Sequence, residues 1–301
     1  MELRDIEYFA VLAEHRHFGR AALALGITQP ALSKSVRRLE TVLGVKLVHR
    51  MAKGLELTPQ GSALQLRVCE LRTSLQSVSR EIKEIGDGLV GSLRVGVGGA
   101  ISEEFLASAF AKLREEAPRT TLSVTVSDND VMVPAFREGE LDLIVNYYMT
   151  IQTEGILCEH LYYDDYVVCA AADHRLTGRK QVELRDLVGE SWAWAEPTLG
   201  SQQKLRETFR DAGLPPPSVG LECRSTALRL RSVANSDLLD FTSAAVIGQL
   251  ASLDIKVLPV KELTWRRSVG LLRRKGAYLP RTAQRLIEIL KSISKEVRQP
   301  A

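Results

Sequence analysis

The sequence predicts a small helical domain with a β wing, then one long helix, then a larger α/β region built in two similar halves. Three observations predict it. Apolar residues recur at helical spacing, with capping signals, up to Leu57; a heptad stripe follows Thr58; and strands alternate with helices from Ser92 onward. With 301 residues the chain exceeds what one hydrophobic core comfortably serves. Its 45% hydrophobic and 26% charged residues are ordinary for a soluble globular protein. A net charge of +3 is too weak to announce a nucleic-acid partner, so the distribution of charge matters more than the sum.

A first helix is predicted over Ile6 to Glu14, where Ile6, Phe9, Ala10 and Ala13 share a face. A second runs from Gly19 to Leu25 and leaves through Gly26, the residue best able to adopt positive φ. The third starts at the N-cap Thr28, with Pro30 in the first turn, where its missing N–H would have no intrahelical acceptor. Ala31, Leu32, Val36, Leu39 and Leu43 are its expected buried side. Gln29, Ser33, Lys34, Arg37 and Arg38 take much of the remainder. Strands at Val45–Val48 and Leu55–Leu57 flank a basic tip of Arg50, Lys53 and Gly54, which reads as a wing.

Thr58-Pro59 repeats the cap-plus-proline signal for a longer helix. Its apolar residues Leu64, Val68, Leu71, Leu75, Val78, Ile82 and Ile85 alternate four and three apart up to Gly86-Asp87-Gly88. So narrow a stripe favours pairing with a second helix over packing on the chain's own large domain.

After Gly91, SLRVGV, TTLSVTV and LDLIV read as strands, with helices at Ser102–Glu116 and Val131–Glu138 between them. This βαβαβ order suits a doubly wound parallel sheet with a crevice beyond the strand carboxyl ends. A second set covers DYVVCAAA, a helix near Gln203–Ala212, LECRS, a helix near Leu228–Ala234 and KVLPV. A strand at Val269–Leu272 and a helix at Ala283–Val297 close the chain.

Little here supports catalysis or a cofactor. VGVGGAIS places Ile101 where G-x-G-x-x-G needs its third glycine, a Walker lysine is missing, and His15, His17, His49, His160 and His174 form no H-E-x-x-H. Asp164 and Asp165 are neighbours on a strand and should point apart. Cys69, Cys158, Cys169 and Cys223 lack metal or disulfide spacing, and only Cys223, beside Arg224, has an electropositive neighbour of the kind a redox-active thiol uses. The N-terminus does not read as a secretory leader, and no apolar run is long enough to span a membrane, so a cytoplasmic protein is expected.

The N-terminal series is more specific: helix two, a glycine turn, a capped third helix exposing Gln, Ser, Lys and Arg, and a basic wing. That is the order of a helix-turn-helix. Glutamine can pair with adenine, lysine or arginine with guanine, and serine with bases or phosphates, so Gln29, Ser33 and Lys34 are candidate readers of DNA. Arg37 and Arg38 suit either phosphates or plain solvation.

The runs FGRAALALGITQPALSKSVRRLETVLGVKLVHR, KGLELTPQG and FREGELDLIV resemble the LysR-type transcriptional regulators. The resemblance implies an N-terminal winged helix-turn-helix over residues 1–58, a linker and dimerisation helix over 59–88, and a periplasmic-binding-protein-like α/β domain over 89–301. It divides the last into subdomain I, about 89–162 and 266–301, and subdomain II, about 163–265. Expected partners are pseudo-palindromic double-stranded promoter DNA, a small-molecule effector clasped between the subdomains, further copies of the chain in dimers or tetramers, and RNA polymerase as a candidate.

By motif position, Gln29, Pro30, Ser33 and Lys34 should meet base edges or adjacent backbone, Arg20, Thr28 and Arg37 phosphates, and Arg50 or Lys53 the wing contact. Lys34 stands where the family often has arginine, and lysine lacks the planar fork. The expected effector residues are Gly99, Ala100, Ile101, Ser102 and Asn129, facing Thr198, Ser225 and Thr226. Free N–H groups near Ser102 would suit a carboxylate, although Ser102 also reads as a plain N-cap and Glu103 and Glu104 add negative charge there. Where the family has a phrase resembling GIALLP, this chain has NSDLLDFTSAAV, with Asp237 and Asp240 and no proline, and a strand is still expected over Leu238–Phe241. A solute-binding or sensor protein acting through its α/β domains alone is the alternative, with an enzyme on the α/β sheet third.

Overall fold

The computed structural model describes residues 2–51, 54–68, 71–72, 91–148, 155–195 and 200–295. The chain divides into an N-terminal helical unit and a larger α/β unit.

The N-terminal unit opens with α1 (Leu3–His15), α2 (Phe18–Ala24) and α3 (Gln29–Leu43), followed by β1 (Val48–Met51), β2 (Gly54–Leu57) and α4 (59–68). Gly26 adopts φ 65° as the turn requires. Leu12, Ala21, Ala22, Leu32, Val36 and Leu55 bury together, and Phe9, Ala13, Leu39 and Leu47 form a second cluster.

Two residues expected inside α3 are exposed, Ala31 and Leu43. Ser35 and Glu40 are buried in their place. The buried stripe runs through Leu32, Ser35, Val36, Leu39 and Glu40, so Leu43, at the helix end, faces solvent. Leu47 gives its N–H to Glu40 and its carbonyl to Thr58, so pairing of the wing begins at Val48, not Val45. Arg50 therefore lies within β1 rather than at the tip. Lys53 lies outside the described residues, as do Leu75, Val78, Ile82 and Ile85 of the heptad stripe.

The α/β unit is built on a seven-stranded mixed sheet. β3 (Gly91–Gly98) pairs in parallel with β4 (Thr120–Ser127) and β5 (Leu143–Tyr147). Between them run α5 (Glu103–Glu116) and α6 (Asn129–Arg137). Two long strands, β6 (Ile156–Ala171) and β11 (Trp265–Arg274), run antiparallel to each other. β11 joins β5 through Val269–Leu272, and β6 carries β9 (Asp240–Ser243) and β10 (Ile255–Leu258) at its far end. The parallel order expected of the βαβαβ segment holds for β3, β4 and β5, whereas β6 and β11 cross between two lobes and run antiparallel, so the sheet as a whole is mixed.

The second lobe also contains β7 (Ser191–Trp194) parallel to β8 (Ser218–Glu222), α7 (Gly200–Asp211), α8 (Thr226–Val233) and α9 (Ala244–Gln249). Neither β7 nor α9 was expected, and β9 starts at Asp240 rather than Leu238 because Leu239 bridges to Trp192 instead. The closing helix α10 (Arg281–Ser294) packs beside α5, and one hydrophobic core runs from Leu93 and Leu290 through Tyr166 to Trp192 and Phe241. Among the described residues no helix is long and apolar enough to cross a membrane.

Candidate functional site

In the N-terminal unit, α3 has one face tied down and one end open. Thr28 Oγ1 accepts from Ala31 N at 3.4 Å, and His17 Nδ1 accepts from Gly19 and Arg20 N at 3.1 and 3.3 Å, capping α2 beside it. On the tied face, buried Asp5 accepts from Ser35 Oγ at 2.6 Å and Arg38 Nε at 2.8 Å. The Arg38 guanidinium holds the Asp5 carboxyl at about 2 against the cost of burial, with Ser35 helping. Burial raises the Glu40 pKa, but Lys46 Nζ at 2.8 Å and Leu47 N at 2.9 Å outweigh it and hold the carboxyl below its ordinary range.

Arg38 is thus a structural clamp rather than an open surface cation. Gln29, Pro30, Lys34 and Arg37 are exposed and Ser33 is half-buried. Arg20 is also exposed, and its guanidinium donates to His15 O at 3.1 Å. Ser33 and Arg37 line a groove of about 300 Å³ with Lys46 and His49, two positions that sequence reasoning did not single out.

In the α/β unit, two adjoining cavities lie between the lobes, one of about 640 Å³ and an inner one of about 70 Å³, sharing Gly99, Asp128, Arg224 and Thr226. Of the expected effector residues, Ala100 and Asn129 line the inner cavity, and Ile101 and Ser225 the outer one. Gly99 and Thr226 line both. Ser102, which is buried, lines neither cavity, and Thr198 lies outside the described residues.

Close packing shapes the inner wall. A Cβ on Gly98 would come within 2.0 Å of Asn146 Oδ1, so only glycine lets the two strands hold Asn146, whose Nδ2 donates to Asn129 Oδ1 at 2.6 Å. Tyr147 donates from its hydroxyl to Asp164 Oδ2 at 2.5 Å. Burial, reinforced by the charges of Tyr166 and Asp164, keeps its phenol protonated well above the ordinary range. Burial also raises the Asp164 pKa, only partly offset by hydrogen bonds from Ser243, Tyr147 and Ala245 N. Asp164 is buried while Asp165 is not, the alternation the strand required.

The anion site expected at the start of α5 is already filled. Ser102 Oγ accepts from Phe105 N at 3.1 Å, and Gln249, from α9 in the opposite lobe, accepts from Glu103 N at 3.1 Å and donates to Ser102 Oγ. Two of the N–H groups that would have received a carboxylate, those of Glu103 and Phe105, are thus satisfied by protein atoms.

The departure NSDLLDFTSAAV also has a structural outcome. Asp237 is exposed, whereas Asp240 is buried and pairs with the buried Arg229 Nε at 3.2 Å. Arg224 reaches Asp128 and Asp130 at 3.3 and 3.5 Å, joining the lobes at the cavity mouth.

Sequence reasoning missed Asn146, Tyr147, Tyr166, Arg229, Gln249 and Arg267. Asn146 and Tyr147 had a usable signal, because they end a parallel strand where such sheets open their crevice. Gln249 had none, since it meets Ser102 from 147 residues away.

A capped helix presenting polar side chains beside a β hairpin, joined to a two-lobed domain with a cavity between its lobes, defines a ligand-responsive DNA-binding regulator. The chain belongs to the LysR family of bacterial regulators. The family model "Bacterial regulatory helix-turn-helix protein, lysR family" matches residues 3–62, and "LysR substrate binding domain" matches residues 86–294.

A probable hydrogen peroxide-inducible genes activator of Mycobacterium xenopi is 32% identical over 180 residues, 60% of this chain and 95% of that protein. The DNA-binding transcriptional dual regulator OxyR of Escherichia coli strain K12 is 26% identical over 296 residues, covering 97% and 95% of the two chains. Among solved structures, a full-length OxyR from Pseudomonas aeruginosa superposes with a TM-score of 0.62 at 23% identity, covering 100% of this chain and 99% of that one. The protein is accordingly a transcription regulator with a DNA-binding and an effector-binding domain.

Proposed function

We propose that Gln29, Pro30, Ser33 and Lys34 read promoter DNA from the start of α3, with Arg20, Thr28 and Arg37 on phosphates and Arg50 and Lys53 in the wing. The observation that carries this is the asymmetry of α3: Asp5, Ser35, Arg38 and Glu40 lock one face, while the capped N-terminal turn leaves Gln29 and Lys34 exposed.

The heptad stripe from Leu64 pairs two copies into a dimer, and dimers assemble into a tetramer on a pseudo-palindromic site, with RNA polymerase as a further partner. The chain divides into residues 1–58, 59–88 and 89–301, and the division of the last into two subdomains is supported by β6 and β11. Ile156–Tyr163 of β6 pairs with Ser268–Arg274 of β11, whereas Tyr166–Ala171 carries β9 and β10.

The effector binds between the lobes against Gly99, Ala100, Ile101, Asn129, Ser225 and Thr226, next to the buried Ser102, with Thr198 facing. It shifts the lobes only as far as it binds their two arrangements unequally. The protein works in the cytoplasm and carries no catalytic activity of its own.

The relatives' names raise a peroxide-sensing alternative. Burial pushes the thiols of Cys158 and Cys169 up, away from the reactive thiolate. The charge of Arg224, beside Cys223, is turned to Asp128 and Asp130. Among the described residues, which exclude Cys69, these observations favour a bound effector over thiol chemistry.

Gel-shift measurements on promoter fragments against random DNA, across salt concentrations, test the DNA reading. Preference for one promoter and a steep fall of affinity with salt are expected, because neutralised phosphates release counterions. A flat salt dependence, or equal binding to random DNA, overturns it.

A further inference from the structure

The inner cavity holds three arginines, and only one has its donors open. Arg229 is spent on Asp240 and on the carbonyl of Cys223 at 3.1 Å. Arg224 is turned to Asp128 and Asp130. Arg267, half-buried on β11, is held instead by aromatic faces: its guanidinium lies 3.8 Å from the ring centre of Tyr147 and 4.7 Å from those of Tyr166 and Trp265. Among the described residues its guanidinium makes no hydrogen bond or ion pair. Stacking orients a guanidinium but leaves its in-plane N–H fork unused, and that fork matches a carboxylate.

The surrounding volumes restrict the ligand further. At about 70 Å³ the inner chamber admits little more than a carboxylate head, while the adjoining cavity of about 640 Å³ can hold a larger body. That outer wall carries Ile101, Val126, Val246 and Leu250, and Glu103 and Glu104, which line only the outer cavity, would repel a second negative group.

We propose that the effector is an organic monocarboxylate with an apolar body, its carboxylate seated on Arg267 in the inner chamber and its body in the outer cavity. This rests on the two-lobed domain being the effector-binding half of the regulator. It also moves the anion site away from the α5 N-terminus, which Gln249 and Ser102 already satisfy.

Calorimetric titration and thermal shift of the full chain with benzoate, hexanoate and 3-phenylpropanoate test it, alongside their neutral amides and the dicarboxylate adipate. At least one monocarboxylate should bind, more tightly than its amide and more tightly than adipate. Arg267→Met should weaken that binding about 10- to 100-fold, the usual range for losing a hydrogen bond to a charged group, while Arg267→Lys keeps part of it.

No binding by any of the three acids overturns the proposal. So does an amide equal to its acid, adipate binding better than hexanoate, or Arg267→Met binding as the parent does. The acid–amide comparison on the unaltered protein stands even if Arg267→Met fails to fold. Promoter binding without ligand, measured separately, shows whether a failure lies in this inference or in the DNA reading.

Discussion

Gln249 closes the start of α5 from the opposite lobe, accepting from Glu103 N at 3.1 Å while donating to Ser102 Oγ. One amide side chain therefore does for this helix what a bound anion does elsewhere, and couples the lobes as it does so. Gln249→Leu should cost about 1 kcal/mol, the net worth of an ordinary hydrogen bond, and speed hydrogen exchange at the Glu103 amide. Unchanged exchange there would show that the bridge does not form in solution.

The buried pair Arg229–Asp240 makes a sharper prediction. With side chains 4% and 0% exposed, removing the cation strands a carboxylate in the core. Arg229→Met should lower stability by about 3–5 kcal/mol in urea unfolding, and adding Asp240→Leu should restore most of it, because the cost lies in the uncompensated charge. A double variant as unstable as the single one would place the cost in packing instead.

Acid should loosen the attachment of α3. The Asp5 carboxyl is held at about 2 against an ordinary 3.8, so its extra stabilisation is present above the ordinary value. It is lost as pH falls from about 4 through about 2. Discounting for Arg38, whose side chain is 43% exposed, the contribution is about 1–2 kcal/mol. Protection of α3 amides from hydrogen exchange, corrected for intrinsic rates, should fall across that window, and Asp5→Asn should show no such step.

Variants of α3 should separate reading from holding. Gln29→Ala should cost about 1–3 kcal/mol on the preferred promoter and reduce its margin over random DNA. Arg37→Ala should weaken both DNAs alike and lower the salt slope by about 1. Lys34→Arg tests whether a planar fork gains specificity at that position. Uniform losses for Gln29→Ala would assign that residue to the backbone.

What could be read without coordinates was local. Thr28 caps and Gly26 turns because each acts within three residues of itself, and Pro30 fits the first turn of α3 for the same reason. Gly99, Ala100, Asn129, Ser225 and Thr226 line two adjoining cavities rather than one, Gly99 and Thr226 belonging to both, since strand ends and helix starts in an α/β lobe converge by topology. Ala31 and Leu43 were assigned to the buried face because periodicity gives a stripe without its width, which the packed neighbours of α3 set.

By itself, then, the sequence determined the helix-turn-helix order, the capped start of α3 and the alternation that builds two α/β lobes, because caps, turns and periodicity act over a few residues. Only the tertiary structure decided which charges are spent. It gives Arg38 to Asp5, Arg229 to Asp240 and the α5 N-terminus to Gln249, and leaves Arg267 among aromatic rings facing the inner cavity. The reason is physical: a charge is neutralised by whatever lies within a few ångströms, and for these groups that depends on how the chain folds back on itself.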